Sequence, residues 1–178
     1  MFDGSHYEVR QKVSIGNKYV VSEEGADILQ SKQKKLRLKE DFRFTDVDSG
    51  EEVFQVKADS VLDAAAAYDA VDSRTGERIG SVKRSLMSMF KHEYQLLGPD
   101  GDHVATVKED NWVRAFVRRN VVGLLPFAYD VETPDGTTVA DISGQLSLRD
   151  RYDIDVVGDV DPRLVVIAAI VIDAIEAN

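Results

Sequence analysis

Five aspartates cluster within residues 150–161, at Asp150, Asp153, Asp155, Asp159 and Asp161. Carboxylate oxygens are the ligands that Ca²⁺ and Mg²⁺ prefer, so this cluster raises the hypothesis of a divalent-cation site. The alternative is a solvated strand, because inward-facing Tyr152, Ile154 and Val156 would leave Asp153 and Asp155 in solvent. We favour the solvated strand and expect neither a metal site nor a cofactor.

Residues 46–50, Asp-Val-Asp-Ser-Gly, also hint at a calcium-binding loop. An EF-hand loop needs Gly at its sixth position and Glu at its twelfth. Those positions hold Glu51 and Lys57 in this chain. The segment is therefore predicted to be a hairpin turn.

No combination of residues typical of a catalytic centre is present in the sequence. The chain has no cysteine, no G-x-S-x-G elbow, no phosphate-binding loop and no dinucleotide fingerprint. The histidines His6, His92 and His103 lack metal-ligand spacing, and the last two are expected at the surface beside strands. We therefore expect a protein that is not an enzyme.

Two basic clusters offer a different chemistry, the recognition of an anion. The first spans residues 32–43 and contains Lys32, Lys34, Lys35, Arg37, Lys39 and Arg43. The second contains Arg114, Arg118 and Arg119. Each cation near an anionic membrane contributes about 1 kcal/mol, and arginines at helical spacing can hold a phosphate. The alternative for both clusters is a solvated face that offsets acidic neighbours.

Overall charge and composition limit the possible partners. The net charge is −10 over 178 residues, with 21 Asp and 11 Glu, so nucleic acid is not an expected partner. Such acidity is typical of a salt-adapted source, or equally of an ordinary acidic protein. The N-terminal residues do not resemble a signal peptide, and the lack of cysteine fits a cytoplasmic protein.

A repeat of turns organises the chain. Turn residues precede a glycine five times, at Gly25, Gly50, Gly76, Gly101 and Gly136, with intervals of 25, 26, 25 and 35 residues. Glycine at the end of such a turn supplies a positive φ. The predicted strands before and after each turn form five β-hairpins.

The residues after each turn share a pattern of side chains. The third residue past each glycine is always β-branched: Ile28, Val53, Ile79, Val104 and Val139. In the last four repeats the fourth and sixth residues are predicted to face inward, and the polar fifth residue outward. The fourth is small in three of them, Gly80, Ala105 and Ala140, which leaves interior space for something bulky.

Further strands at Tyr7–Val13 and Tyr152–Val156 raise the total to about twelve, and a sheet of this size tends to close. Residues 110–119, with Trp112, Ala115 and Phe116 at i, i+3 and i+4, fit a short extra helix packed on the core, or else a continued strand.

The apolar stretch Leu164–Ile172 is predicted to be a buried helix within residues 162–176. Asp161 and Pro162 form a typical helix start, although the β-branched residues also permit a buried strand. Nine helical residues rise about 13 Å, whereas a bilayer core needs about 30 Å, so a membrane span is not expected. A helix that is apolar on all sides must be buried in protein.

Several segments resemble the LURP-one-related family over nearly the whole chain. They are Tyr7–Lys12 with Ile15–Tyr19, Leu36–Leu38 through Asp46–Glu52, and Leu146–Tyr152 with the terminal helix. That family shares the tubby C-terminal fold with tubby proteins and phospholipid scramblases. The resemblance implies a single domain over residues 1–178, a closed antiparallel barrel of about twelve strands around a buried C-terminal helix.

The resemblance implies a fold more firmly than a function. Tubby domains bind phosphoinositides through basic residues, whereas scramblases have a calcium site and a longer membrane-inserting helix, from which the short Asp-flanked helix here departs. We therefore expect a non-catalytic binding module for an anionic ligand or lipid surface. The alternatives are a protein-interaction scaffold and a divalent-metal protein. If the helix fills the barrel, any ligand must bind at the outer wall or the rim.

Overall fold

A computed structural model describes residues 1–12, 18–33, 41–58, 67–84, 93–109, 128–144 and 151–176. These residues form twelve strands and one helix. The strands are β1 His6–Lys12, β2 Lys18–Glu23, β3 Ala26–Gln33, β4 Asp41–Asp46, β5 Glu52–Ala58, β6 Ala67–Asp72, β7 Arg78–Arg84, β8 Glu93–Leu97, β9 His103–Glu109, β10 Ala128–Glu132, β11 Thr138–Gly144 and β12 Arg151–Val156. The helix, α1, spans Pro162–Glu176.

The twelve strands form one closed antiparallel barrel, which confirms the predicted fold class. Each strand pairs with its neighbours in the chain, and β1 pairs with β12 to close the sheet, with Val9 opposite Tyr152. Closure leaves none of these strands with an unpaired edge, so the barrel wall offers no template for strand addition.

The strand directions give the barrel two different ends. Five short turns, at residues 23–26, 46–52, 72–78, 97–103 and 132–138, lie at one end, which we call the turn rim. Helix α1 also begins there, after residues 157–161 leave β12. The opposite end, the far rim, includes the strand ends Gln33, Asp41, Glu109 and Ala128. All five turn glycines have the predicted positive φ, between 73° and 87°.

Each of the five hairpins contains a β-bulge beside its turn, and the bulge explains the β-branched repeat position. In the β6–β7 hairpin, Ala70 pairs with Gly80 but Val71 pairs with Arg78, so Ile79 has no partner. The same shift occurs at Ile28, Val53, Val104 and Val139. Ile79 is 4% exposed and joins the core. Bulges bend a strand and increase its twist, which helps a sheet to close.

Helix α1 fills the barrel interior, as the sequence predicts. Every residue from Leu164 to Ile172 is at most 2% exposed. The helix packs most closely on β7, where a Cβ at Gly80 would lie 3.2 Å from Leu164 and 2.3 Å from the carbonyl oxygen of Leu97. The predicted inward residues Val82, Ala105, Val107 and Ala140 are all buried around it. The described residues contain no helix long and apolar enough to span a membrane.

The last turn of α1 is anchored at the far rim by a buried polar cluster. Tyr19 of β2 donates a hydrogen bond to Oδ2 of Asp173 at 2.6 Å, and Tyr152 of β12 donates to Oδ1 at 2.7 Å. Asp173 is only 4% exposed. The predicted extra helix at residues 110–119, with Trp112 and Phe116, lies outside the described residues.

Candidate functional site

The filled interior leaves the two rims and the outer wall as the surfaces on which a ligand can bind. Large side chains from the strands, among them Tyr94, Phe42 and Phe54, belong to the same core cluster as the helix and have no solvent exposure. A ligand therefore has to bind to side chains at one of the rims or on the outer wall.

Charge is distributed very unevenly between the turn rim and the rest of the described residues. The turn-rim segments contain seventeen carboxylates and three arginines, Arg74, Arg78 and Arg163. The other described residues contain ten carboxylates and ten lysines or arginines, so they are neutral overall. The turn-rim segments are residues 1–6, 23–27, 46–52, 72–78, 97–103, 132–138 and 155–163. Their formal charge of −14 exceeds the −10 of the whole chain.

The sequence-predicted basic clusters fall mainly outside the described residues. Lys34, Lys35, Arg37 and Lys39 lie there, as do Arg114, Arg118 and Arg119. Lys32 belongs to β3, and Arg43 on β4 forms an ion pair with Glu52 at 3.2 Å. The first cluster is flanked in the chain by the strand ends Gln33 and Asp41, and the second by Glu109 and Ala128. All four strand ends belong to the far rim.

A cleft of about 700 Å³ opens at the turn rim beside the start of α1. It lies between the β6–β7 turn, the β8–β9 turn and the segment that crosses the barrel mouth into the helix. Its lining includes five apolar residues, which we call the apolar floor: Ile79, Pro99, Val104, Val160 and Leu164. It also includes six charged residues: Glu77, Arg78, Asp100, Asp159, Asp161 and Arg163.

Both arginines of the cleft are already engaged by the chain itself. Arg78 donates to Oδ1 of Asp69 at 2.8 Å and to the carbonyl oxygen of Pro99 at 3.2 Å. Arg163 forms a bidentate pair with Asp161, at 2.6 and 3.1 Å, and this pair raises the pKa of its guanidinium. In contrast, Glu77, Asp100 and Asp159 form no ion pair with any described residue.

The positive end of the α1 dipole is also neutralised from within. Oδ1 of Asp161 accepts the backbone N–H of Arg163 at 2.9 Å, and its carbonyl oxygen accepts that of Leu164 at 3.0 Å. An aspartate at this position satisfies the first amides of a helix. The cleft therefore has the character of a site for a cation and not for an anion.

A partly buried ion cluster connects the cleft to the β6–β7 turn. Asp72, 5% exposed, accepts backbone N–H groups from Arg74 at 2.9 Å and Thr75 at 3.3 Å, and lies 3.5 Å from the Arg163 guanidinium. Burial alone would raise the pKa of this carboxyl, but the bonds from Arg74 and Thr75 outweigh burial and lower it.

The N-terminal residues lie across another part of the turn rim. The Glu23 carboxylate accepts the backbone N–H groups of Phe2, Asp3 and Gly4 at 2.7–3.1 Å, and the Phe2 ring stacks on Tyr7 with centroids 5.7 Å apart. Burial raises the pKa of Glu23, but these three backbone bonds outweigh it and the net shift is downward. Residues 2–4, which we call the N-terminal strap, are therefore held in place by the ionised form of Glu23.

Three of the aspartates of residues 150–161 have local partners among the described residues. Asp153 pairs with Arg151 at 3.9 Å, Asp155 binds the Nδ1 of His6 at 2.8 Å, and Asp161 caps α1. Among the described residues there is no group of three or more side chains suited to hold a metal ion. Asp150 lies outside the described residues.

The described histidines have local partners on the surface. His103 is exposed and its Nε2 lies 2.9 Å from Oγ1 of Thr106, while Asp155 raises the pKa of His6 by its hydrogen bond. His92 lies outside the described residues.

The sequence predicts the turns that form the cleft but not the cleft itself. Glu77, Asp100 and Asp159 are separated by 23 and 59 residues in the chain. They come together because residues 157–161 cross the barrel mouth toward β7. Among the residues that line the cleft, only Asp161 is singled out in the sequence, as the residue that caps α1.

Comparison with known proteins identifies the family. The family model described as LURP-one-related matches residues 27–173, from the first hairpin to the last turn of α1. No curated protein and no solved structure matches the chain significantly. Because the match extends over most of the barrel and the helix within it, the chain belongs to the LURP-one-related family.

Proposed function

We propose that this chain is a non-catalytic binding domain that recognises an anionic ligand or lipid surface at the far rim of its barrel. The observation that carries the proposal is the concentration of negative charge at one rim. The excess negative charge of the molecule lies at the turn rim, while the strand ends that flank both basic clusters lie at the opposite rim.

Electrostatics favour one orientation of such a molecule at an anionic surface. The screening length at physiological ionic strength is about 8 Å, so a surface at the far rim is largely screened from the carboxylates of the turn rim. Each Lys or Arg close to an anionic membrane contributes about 1 kcal/mol. The four cations of residues 34–39 are therefore sufficient for weak, salt-sensitive attachment, despite the net charge of −10.

The filled barrel supports recognition at a surface. Helix α1 occupies the space in which an open barrel would hold a small ligand. An external site of this kind suits a lipid headgroup or another anion presented from outside.

Vesicle flotation tests the proposal directly. The full chain is mixed with vesicles of phosphatidylcholine alone or with added phosphatidylserine or phosphoinositide, at low and high salt. We expect flotation with anionic vesicles at low salt only. Flotation should be lost in the variant K34Q/K35Q and retained in R74Q/R78Q, which removes two cations from the β6–β7 turn at the opposite rim. No flotation at low salt, or equal loss in both variants, would refute the proposal.

Free anions distinguish a lipid surface from a soluble ligand. Inorganic phosphate and soluble inositol phosphates are added as competitors in the same flotation. Release by inositol phosphates at concentrations where phosphate has no effect would indicate headgroup recognition. Release by both alike would indicate a general anion site.

A protein-interaction role is the second candidate, and the turn-rim cleft is the observation that favours it. Its apolar floor and unpaired carboxylates do not suit an anionic lipid. The cleft is a different surface from the far rim, and it favours a cation, whereas the far rim is proposed to bind an anion.

A further inference from the structure

We infer that the turn-rim cleft is a docking site for a basic segment of a partner protein, in which a Lys or Arg side chain enters the cleft. The proposal stands independently of lipid binding, since the cleft lies at the opposite rim from the strand ends that flank the basic clusters.

The lining of the cleft suits such a side chain, and its size leaves room for neighbouring residues of the segment. Its volume of about 700 Å³ falls within the range of ligand sites in proteins. Lys and Arg place their methylene stems along apolar surface and keep the charged head at a polar margin. Val104 and Val160 are partly exposed and supply that surface, while Asp100 and Asp159 supply the margin.

Charge complementarity selects a cation over the other possible occupants. Arg78 and Arg163 are held by Asp69 and Asp161, so they are not available to an anionic ligand. The surrounding turn rim has a formal charge of −14, which attracts a basic segment at long range. A second copy of this chain is a poor occupant rim to rim, because the two acidic rims repel each other, and head-to-tail self-association, seen as amide shifts that grow with protein concentration without peptide, would overturn the proposal.

A capped hexapeptide of alternating leucine and lysine is a suitable probe for the full ¹⁵N-labelled chain. We expect it to shift the backbone amide signals of Ile79, Val104 and Val160 more than those of the far rim. The matching peptide with glutamate in place of lysine should cause no shifts. Shifts spread evenly over the turn rim would refute a defined site.

Charge reversal tests whether the cleft or only the rim attracts the probe. The variant D100K/D159K should weaken binding by about tenfold. The control D48K/E51K makes the same change of charge on the β4–β5 turn, where both side chains are exposed, and should weaken binding less than about twofold. Equal weakening in the two variants would overturn the proposal. The uncharged variant D100N/D159N gives the same test if the lysines impair folding.

The apolar floor is tested with a third peptide that carries 2,4-diaminobutyrate in place of lysine, compared with the lysine peptide in slightly acidic buffer, where both side-chain amines are protonated. The charge is then the same, but the stem is two methylenes shorter. We expect clearly weaker binding than with the lysine peptide, because the floor is no longer covered. Equal affinity would show that the floor makes no contribution and would overturn the proposal. Neither result depends on whether the chain binds lipid.

Discussion

The phenol of Tyr19 and the carboxylate of Asp173, 154 residues apart in the chain, are joined by a buried hydrogen bond of 2.6 Å between β2 and the last turn of α1. Tyr152 of β12 binds the other carboxylate oxygen at 2.7 Å. At the other end of the helix Arg163 lies 3.5 Å from Asp72 of β6, and the residues between, Leu164–Ile172, are apolar and give little direction to the packing. We therefore expect the two tyrosine bonds to fix the depth and rotation of the last turn of α1 in the barrel.

Removing the Asp173 carboxylate should destabilise the fold strongly. The variant D173A leaves two buried hydroxyls without this acceptor, and each unsatisfied group costs about 1–3 kcal/mol. We expect a loss of about 2–5 kcal/mol in the free energy of unfolding, measured by urea denaturation. The control D141A removes an exposed carboxylate from β11 and should change stability by less than about 0.5 kcal/mol.

Single and double substitutions of the tyrosines separate the two bonds. Y19F and Y152F should each cost about 1–2 kcal/mol, because the aromatic ring stays in place. Combined with D173A, neither should add its full cost, since the shared carboxylate is already absent. Full additivity in a double-mutant cycle would show that the tyrosine in that cycle has no energetic coupling to the Asp173 carboxylate.

The close packing around Gly80 of β7, against both β8 and the helix, gives a second prediction. A Cβ at Gly80 would lie 2.3 Å from the carbonyl oxygen of Leu97, which is fixed in the β7–β8 ladder, so G80A must displace backbone. We expect G80A to cost more than about 3 kcal/mol or to prevent folding. G50A is the control, because Gly50 has φ +73° but open space around it, and it should cost only about 1–2 kcal/mol. Equal costs would indicate that the close packing at Gly80 is not rigid.

Much of this architecture could be predicted from the sequence because the turn chemistry repeats. The five glycines locate the hairpins, and the alternation after them identifies inward residues such as Val82 and Val107. Strict alternation fails at the third position, since it would place Ile79 on the same face as Ser81. The bulge changes the direction of that side chain, and a bulge depends on pairing register, which one strand alone does not reveal.

The concentration of carboxylates at the turn rim follows from the same preference of certain residues for turns. Asp favours turns because its carboxylate accepts nearby backbone N–H groups. Asp46 accepts those of Asp48 and Ser49, and Asp72 accepts those of Arg74 and Thr75. An antiparallel barrel with short turns at one end collects these aspartates on that rim. The cleft could not be predicted in this way, because it depends on the route of residues 157–161 across the barrel mouth.

The N-terminal strap should be sensitive to acid through Glu23. Its pKa is lower in the folded state than in the unfolded chain, where it is about 4.5. Its contribution to stability is therefore complete above the unfolded pKa and is lost as the pH falls through the lowered folded value. Unfolding free energies measured between pH 7 and pH 3 should fall less steeply in E23Q than in the original chain.

The control for the strap is E51Q, which removes an exposed carboxylate from the β4–β5 turn. It should leave the pH dependence unchanged. Amide hydrogen exchange gives a second measurement, since the N–H groups of Asp3 and Gly4 should lose protection in E23Q at neutral pH. Unchanged protection together with an unchanged pH slope would show that Glu23 does not hold the strap.

Helix α1 is predicted to be indispensable to the barrel. Removing it exposes an interior lined by large side chains such as Phe42, Tyr94 and Leu96, all fully buried in the intact fold. A twelve-strand barrel is too wide for its own side chains to fill, because about eight strands is the size at which they do so. A chain ending at Arg163 should therefore lose cooperative thermal unfolding and bind a hydrophobic dye. A truncated protein that is soluble and melts cooperatively would show that the strands alone specify the fold, and that the helix occupies a cavity it did not create.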